Sequence, residues 1–372
     1  MSQAVKSFAT ALIDATSVTM FGVETVGKLC LVAFYSEGHV LLEGNPGLGK
    51  TELIKTLGRV LALPFGRIQF TPDLMPADIT GTWMPDFENR NQLRFRQGPI
   101  FTNLLLADEI NRATPKTQSA MLEAMAERQV TVLGERYQLD PPFFVLATQN
   151  PIDHEGTFAL PEAQADRFMF KIAMPTPDNH TLRAILAKQT APPNPESGAD
   201  LDRSKLPRDV ADSKAKFAEL GKRIRATEVL PSVEHHVLNL FAATNGRFNQ
   251  LQGLTGPQTQ QLKALLDDAL LYGFGPRAAV ALQLGAKAWT LLFEDKDQAD
   301  AESLAHIIIP ALRHRLQLSF DWLDRQPRAE NEPSRLSAAD QFLVKLCGLC
   351  APAEHAYRQR FEARLDQIAG QV

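Results

Sequence analysis

Cysteine is scarce: three residues in 372. That excludes a disulfide framework, and only Cys347 and Cys350 form a CxxC pair. A zinc site would need two more ligands, for which only Cys30 and scattered histidines remain. Two small apolar residues on an amphipathic helix is the simpler reading of the pair. No stretch approaches the about 18 consecutive apolar residues of a membrane span. The segment Met1 to Met20 mixes Lys6 and Asp14 with Ser and Thr and lacks the pattern of a signal peptide. These absences point to a cytoplasmic protein. Positive charge is not in surplus either, the formal net charge being −4. This argues against nucleic acid or an anionic membrane as the main partner, although a local basic patch is compatible with it. There are no internal repeats and no low-complexity tracts.

What is present is ordinary in amount and informative in order. At 44% hydrophobic and 22% charged, the chain can bury a large core, and its length suggests two or three domains. The first half alternates short apolar runs with helical patterns, the signature of a parallel sheet covered by helices. Strands are expected at 39–43, 67–70, 103–108, 143–148 and 168–172. The continuously apolar Val40-Leu41-Leu42, Leu104-Leu105-Leu106 and Phe143-Phe144-Val145-Leu146 suit strands buried on both faces. Two segments break the rhythm: 82–97, with a turn expected at 86–91, and 129–140, alternating around Gly134. Both read as β-hairpins inserted into the α/β core. Prolines 192, 193, 195 and 207 mark a linker at 191–208 that closes a domain over 1–190. From 209 to about 325 the pattern is helical apart from a Gly/Gln loop expected at 248–260. A polar linker and a short helical extension fill 326–372.

Gly44-Asn45-Pro46-Gly47-Leu48-Gly49-Lys50-Thr51 fits GxxxxGK[ST], after an apolar strand and before a helical pattern. Glycines let backbone N–H groups turn inward around phosphate oxygens. Lys50 is then positioned for the β- and γ-phosphates of ATP, and Thr51 for Mg2+. A lysine in a first helical turn faces the unfavourable end of the macrodipole, and a bound polyphosphate reverses that penalty.

Leu104-Leu105-Leu106-Ala107-Asp108-Glu109 is an apolar strand ending in two carboxylates. Asp108 is expected to hold Mg2+ and Glu109 to polarise the attacking water. Asn150 ends the next apolar strand, where a neutral amide can orient that water.

Phosphate loop, Asp-Glu strand, strand-end Asn and a following helical domain with an Arg is the order found in AAA+ ATPases, and more narrowly the chain resembles the MoxR family. The resemblance is carried by Gly38 to Gly44, Ile68 to Gly81, Gly98 to Phe101, Ala107 to Ala113 (ADEINRA), Lys116 to Thr131, Ala147 to Pro151 and Leu160 to Phe168 (LPEAQADRF). It is dense from Phe21 to Met174 and looser at Gly273 to Ala278 and Ala311 to Leu316. It implies a P-loop αβα core with a five-stranded parallel sheet, followed by an all-α lid. It also implies a ring, hexameric in the family, in which ATP hydrolysis drives chaperone-like remodelling, activation, or metal or cofactor insertion. The client would be a partner protein, with a von Willebrand factor A domain protein as co-worker.

Residue by residue, Asn150 matches sensor 1 and Arg277 matches sensor 2. Pro276 suits a first helical position, so Arg277 is another cation in a first turn. Arg167 matches the arginine finger that enters the neighbouring subunit's site, with Arg112 a second candidate to act across that boundary. Phe21 and Gly22 match the segment packed against adenine. The two hairpins match the branch with an insertion in helix 2 and carry Trp83, Phe87 and Tyr137 as candidate client contacts. The same hairpins occur in replicative helicases, so a nucleic-acid-stimulated motor is the alternative; Arg90, Arg94 and Arg96 are its nearest support. The sequence departs from its relatives at Glu294-Asp295-Lys296-Asp297 and in the long 248–260 loop. The extension beyond Gln326 has no placed counterpart, and its Arg358, Arg360, Glu362 and Arg364 read as a solvated helix face.

Overall fold

A computed structural model describes residues 2–18, 20–45, 47–85, 93–150, 158–190, 203–294, 296–326 and 337–369. Pro46, the 86–91 turn with Phe87 and Arg90, and most of both expected linkers lie outside these residues. The chain divides into two compact units, one of 7–168 and 172–220, the other of 1–6, 169–171 and 221–372.

The first unit contains strands β1 (Val40–Glu43), β2 (Phe65–Gln69), β3 (Leu104–Asp108) and β4 (Phe144–Gln149); with β5 (Phe170–Ala173), whose first two residues are grouped with the other unit, the sheet order is β2-β3-β4-β1-β5. β2, β3, β4 and β1 pair in parallel. The leucines of β3 and Phe144 to Ala147 of β4 are buried on both faces, as their unbroken apolar runs require. β5 begins two residues later than expected. The reason is local: the Phe168 N–H is still bonded to Ala165 O at 3.0 Å, finishing the turn after the short helix Glu162–Ala165.

Register decides what the sheet presents. Gln69 pairs with Asp108, and Glu43 pairs with Gln149. The carboxyl ends of four strands therefore line up in one row, the edge at which open α/β sheets take ligands.

Both inserted hairpins form, Gly81–Pro85 against Leu93–Gln97 and Gln129–Val132 against Glu135–Gln138. Leu133 and Gly134 turn the second with φ of 50° and 86°, the left-handed pair that matches strand twist in a two-residue loop. The two hairpins meet through Phe95, stacked on Tyr137 at 4.1 Å between ring centroids and 5.9 Å from Trp83. Trp83 and Tyr137 are partly buried in this contact, and Leu133 at the second hairpin's tip is 83% exposed.

The second unit is mainly helical, with two corrections to the sequence expectation. The 248–260 loop is shorter than expected, because a helix starts at Gly256. Thr255 caps it, its hydroxyl accepting from the Gln258 N–H while the Gln258 side chain accepts from the Thr255 N–H at 3.0 Å. The unit also contains two short strand pairings, Glu228–Val229 with Gln298–Ala299 and Leu270–Tyr272 with Gln317–Leu318. The helices Ala338–Cys350 and His355–Ala369 belong to this unit. Asn239 Nδ2 donates to Cys350 O at 3.1 Å, and both cysteines of the CxxC pair are buried. Arg358 pairs with Glu362 at 2.7 Å, and Arg364 donates to His306 at 3.0 Å. In the departing segment, Lys296 holds Glu294, Asp300 and Glu302 together at 3.5, 2.7 and 3.0 Å.

Each unit buries one histidine in a neutral form. His39 Nδ1 accepts from the Val145 N–H at 3.1 Å, so its Nε2 carries the proton toward Met125 O at 3.2 Å. His236 lies between Tyr357 OH at 3.0 Å and Cys347 O at 2.9 Å. Desolvation pulls both down to about 4, with Arg128 adding to the effect at His39 and the carbonyl bonds opposing it. Between pH 6.5 and 4 the unfolded chain takes up protons that the folded one refuses, so stability is full above that window and falls within it. Each unit is expected to lose about 3 kcal/mol on acidification to pH 4. Urea midpoints at pH 7 and pH 4.5 check this, and a His236→Gln variant should flatten the dependence of the helical unit.

Candidate active site

The phosphate loop joins β1 to the helix Lys50–Val60. Gly47 and Gly49 adopt φ of 85° and 80°, which a side chain would strain. A Cβ on Gly47 would meet nothing within 4 Å, so this exposed glycine is required by its torsion and not by crowding. Lys50 folds back on the loop, its Nζ donating to Gly44 O at 2.5 Å. Partial burial pulls the Lys50 ammonium below its ordinary value, while Asp108, Glu109 and Glu43 oppose that pull. Thr51 follows at the second position of the helix.

Beside the loop lies a cavity of about 400 Å³. Phe21, Gly22, Gly47, Leu48 and Gly49 line it, and so do Thr181 and Lys188 from the helix Asn179–Thr190. Lys188 Nζ sits 5.5 Å from the centre of the Phe21 ring and donates to Val18 O at 2.5 Å. A flat apolar wall with a few polar groups suits a heterocyclic base. The contributions of Thr181 and Lys188 were invisible in the sequence, since helix 179–190 carries no motif.

Asp108 and Glu109 end β3 in the row of strand ends. Glu109 takes φ of 57°, an uncommon backbone state for a non-glycine residue, and its N–H donates to Thr148 Oγ1 at 2.8 Å. Thr148 Oγ1 in turn donates to Asp108 Oδ1 at 2.7 Å. Arg67 and Gln69 of β2 hold the same pair: Arg67 Nη2 reaches Asp108 Oδ2 at 2.7 Å and Gln69 Nε2 donates to Glu109 Oε2 at 3.0 Å. Arg112 Nη1 also binds Glu109 Oε2, at 3.0 Å. Sequence reading did not single out Arg67, Gln69 or Thr148; their only signal is the strand register.

Asn150 follows β4, its carbonyl accepting from Asn111 Nδ2 at 3.5 Å. Arg167 is half-buried and donates from Nη1 to Leu122 O at 2.9 Å. Arg277 lies in the first turn of the helix Pro276–Phe293 in the helical unit. The donor types of the first unit fit a magnesium nucleotide: a loop of backbone amides, an ammonium, a hydroxyl and hard carboxylate oxygens.

Residues 39–170 match the model of the ATPase family associated with various cellular activities (AAA), and residues 262–338 match the AAA lid domain. Chaperone MoxR1 of Mycobacterium tuberculosis is 36% identical over 81% of this chain and 74% of its own length. The chain belongs to the MoxR family of AAA+ ATPases. YeaC of Bacillus subtilis is likewise 36% identical, over 80% of this chain and 83% of its own. A crystal structure of a Cytophaga hutchinsonii protein matches with a TM-score of 0.75 at 32% identity, covering 93% of this chain and 95% of that one. The MoxR-family chain is therefore an ATPase with an AAA core and an AAA lid, and it binds nucleotide. Among the described residues no helix is long and apolar enough to cross a membrane.

Proposed function

We propose that this protein is a cytoplasmic, ring-forming chaperone-like ATPase. It uses Mg2+ and ATP to remodel or activate a client, including by metal or cofactor insertion, together with a von Willebrand factor A domain protein. The observation that carries the ATP site is the convergence of a phosphate loop with left-handed glycines, an adjoining cavity of about 400 Å³ and two tethered carboxylates in one unit. The chaperone role is supported by the relative named Chaperone MoxR1.

In this reading the N–H groups of Gly47, Leu48 and Gly49 cradle the phosphates, Asn45 and Pro46 complete the loop, and Phe21 and Gly22 face the base. Lys50 neutralises the β- and γ-oxygens, and Thr51 and Asp108 would hold Mg2+, which polarises the phosphoryl group when bound. Glu109 accepts a proton from the attacking water, and Asn150 orients that water. Arg167 serves the neighbouring subunit's site, and Arg277 serves the nucleotide from the lid. Leu133 at the hairpin tip is a candidate client contact.

The test is affinity capture from the native cytoplasm in the presence of ATP, using the Glu109→Gln variant to hold the bound state. Recovery of a protein with a von Willebrand factor A domain, and stimulation of ATPase activity on adding it back, is the expected result. Several-fold stimulation by single- or double-stranded DNA, with none by a protein partner, would instead assign a nucleic-acid motor.

A further inference from the structure

The carboxylate of Asp108 is satisfied on its two oxygens by two different kinds of donor. Thr148 binds Oδ1, and the same hydroxyl accepts the Glu109 N–H. Thr148 is fully buried and its single proton is committed to Asp108, so this contact is fixed. Oδ2 is held by Arg67, whose side chain is 46% exposed against 13% for Asp108. The same Nη2 of Arg67 also donates to Gln69 Oε1 at 2.5 Å, while Gln69 Nε2 holds Glu109. One oxygen of Asp108 is thus held by a buried hydroxyl, and the other by a half-exposed cation that also has a second acceptor.

We propose that Arg67 is a positioning residue that occupies Oδ2 of Asp108, the oxygen that Thr148 leaves open, in place of a divalent cation. It yields Oδ2 when the cation binds and stays on Gln69. Arg67 thus holds the largely buried Asp108 carboxylate in place, at 2.7 Å, before the cation arrives. This rests on Asp108 serving a magnesium–nucleotide site.

The test is Mg2+-dependent binding of a fluorescent ATP analogue to metal-stripped full-length protein, with Mn2+ binding followed by electron paramagnetic resonance. If Arg67 competes for Oδ2, Arg67→Gln lowers the half-saturating Mg2+ concentration by about five-fold, the size of a partly exposed ion pair. Arg67→Lys, which keeps the charge, stays near the parent protein. Arg112→Gln removes an equal charge from Glu109 and should shift the midpoint less than about two-fold. Arg67→Ala repeats the measurement should the Gln variant lose its circular dichroism signal. An unchanged or raised midpoint in the Arg67 variants, or an equal drop in Arg112→Gln, overturns the proposal while leaving the magnesium site intact. Nucleotide binding by the parent protein that ignores Mg2+ overturns both.

Discussion

Replacing Glu109 with glutamine is expected to lower kcat for ATP by at least about 100-fold while ATP binding is preserved, the range in which a positioned general base contributes. The physical reason is that glutamine keeps the shape and the acceptor oxygen but not the basicity. The carbonyl oxygen of the new side chain can still accept from Gln69 Nε2 and Arg112 Nη1, both 3.0 Å from Glu109 Oε2. The backbone turn at φ 57° and its anchor on Thr148 do not involve the side chain. Geometry therefore survives and only proton acceptance is lost. Steady-state ATPase assays beside equilibrium binding of a fluorescent ATP analogue separate the two, and unchanged turnover would remove Glu109 from the catalytic role.

The second large effect concerns Arg167. Arg167→Ala is expected to lower kcat by about a thousand-fold, the lower end of what an arginine finger supplies, with ATP binding intact. Within its own chain Arg167 donates to the Leu122 carbonyl. Moving to a phosphate oxygen of a neighbouring subunit exchanges a neutral acceptor for a charged one, and such bonds are about twice as strong. A shared site has a sharper consequence. Mixing Arg167→Ala subunits with Glu109→Gln subunits should restore part of the activity that neither has alone, because mixed rings contain sites with an intact Glu109 and an incoming Arg167. Specific activity of the parent protein should likewise rise with protein concentration. No recovery on mixing, assayed after subunit exchange, would place Arg167 in a purely structural role.

Much of this site could be read from the chain because its parts are local. GxxxxGK[ST] encodes torsions that glycine alone adopts without strain, as the φ of Gly47 and Gly49 bear out. The unbroken apolar runs of β3 and β4 announce strands buried on both faces, and the alternation around Gly134 announces a hairpin. Local reading also failed, once by missing a local capping signal and elsewhere because a longer-range contact had won. The helix at Gly256 begins inside a Gly/Gln-rich stretch because Thr255 and Gln258 cap each other. Nothing in the sequence signals that Trp83 and Tyr137, on different hairpins, both meet Phe95. The C-terminal helices looked like an appendage, but His236 and Asn239 hydrogen-bond to the carbonyls of Cys347 and Cys350.

By itself the sequence determined the elements and the chemistry available at their ends: a phosphate loop, a strand closing on Asp108 and Glu109, and a strand closing before Asn150. Torsional preference and the periodicity of burial act over a few residues, so they can be read along the chain. Only the tertiary structure decided which side chains those acids meet. Arg67, Gln69 and Thr148 reach Asp108 and Glu109 because β2 and β4 flank β3 in one register. Register depends on every contact across the sheet at once, since a slip of one residue would turn each of these side chains to the opposite face.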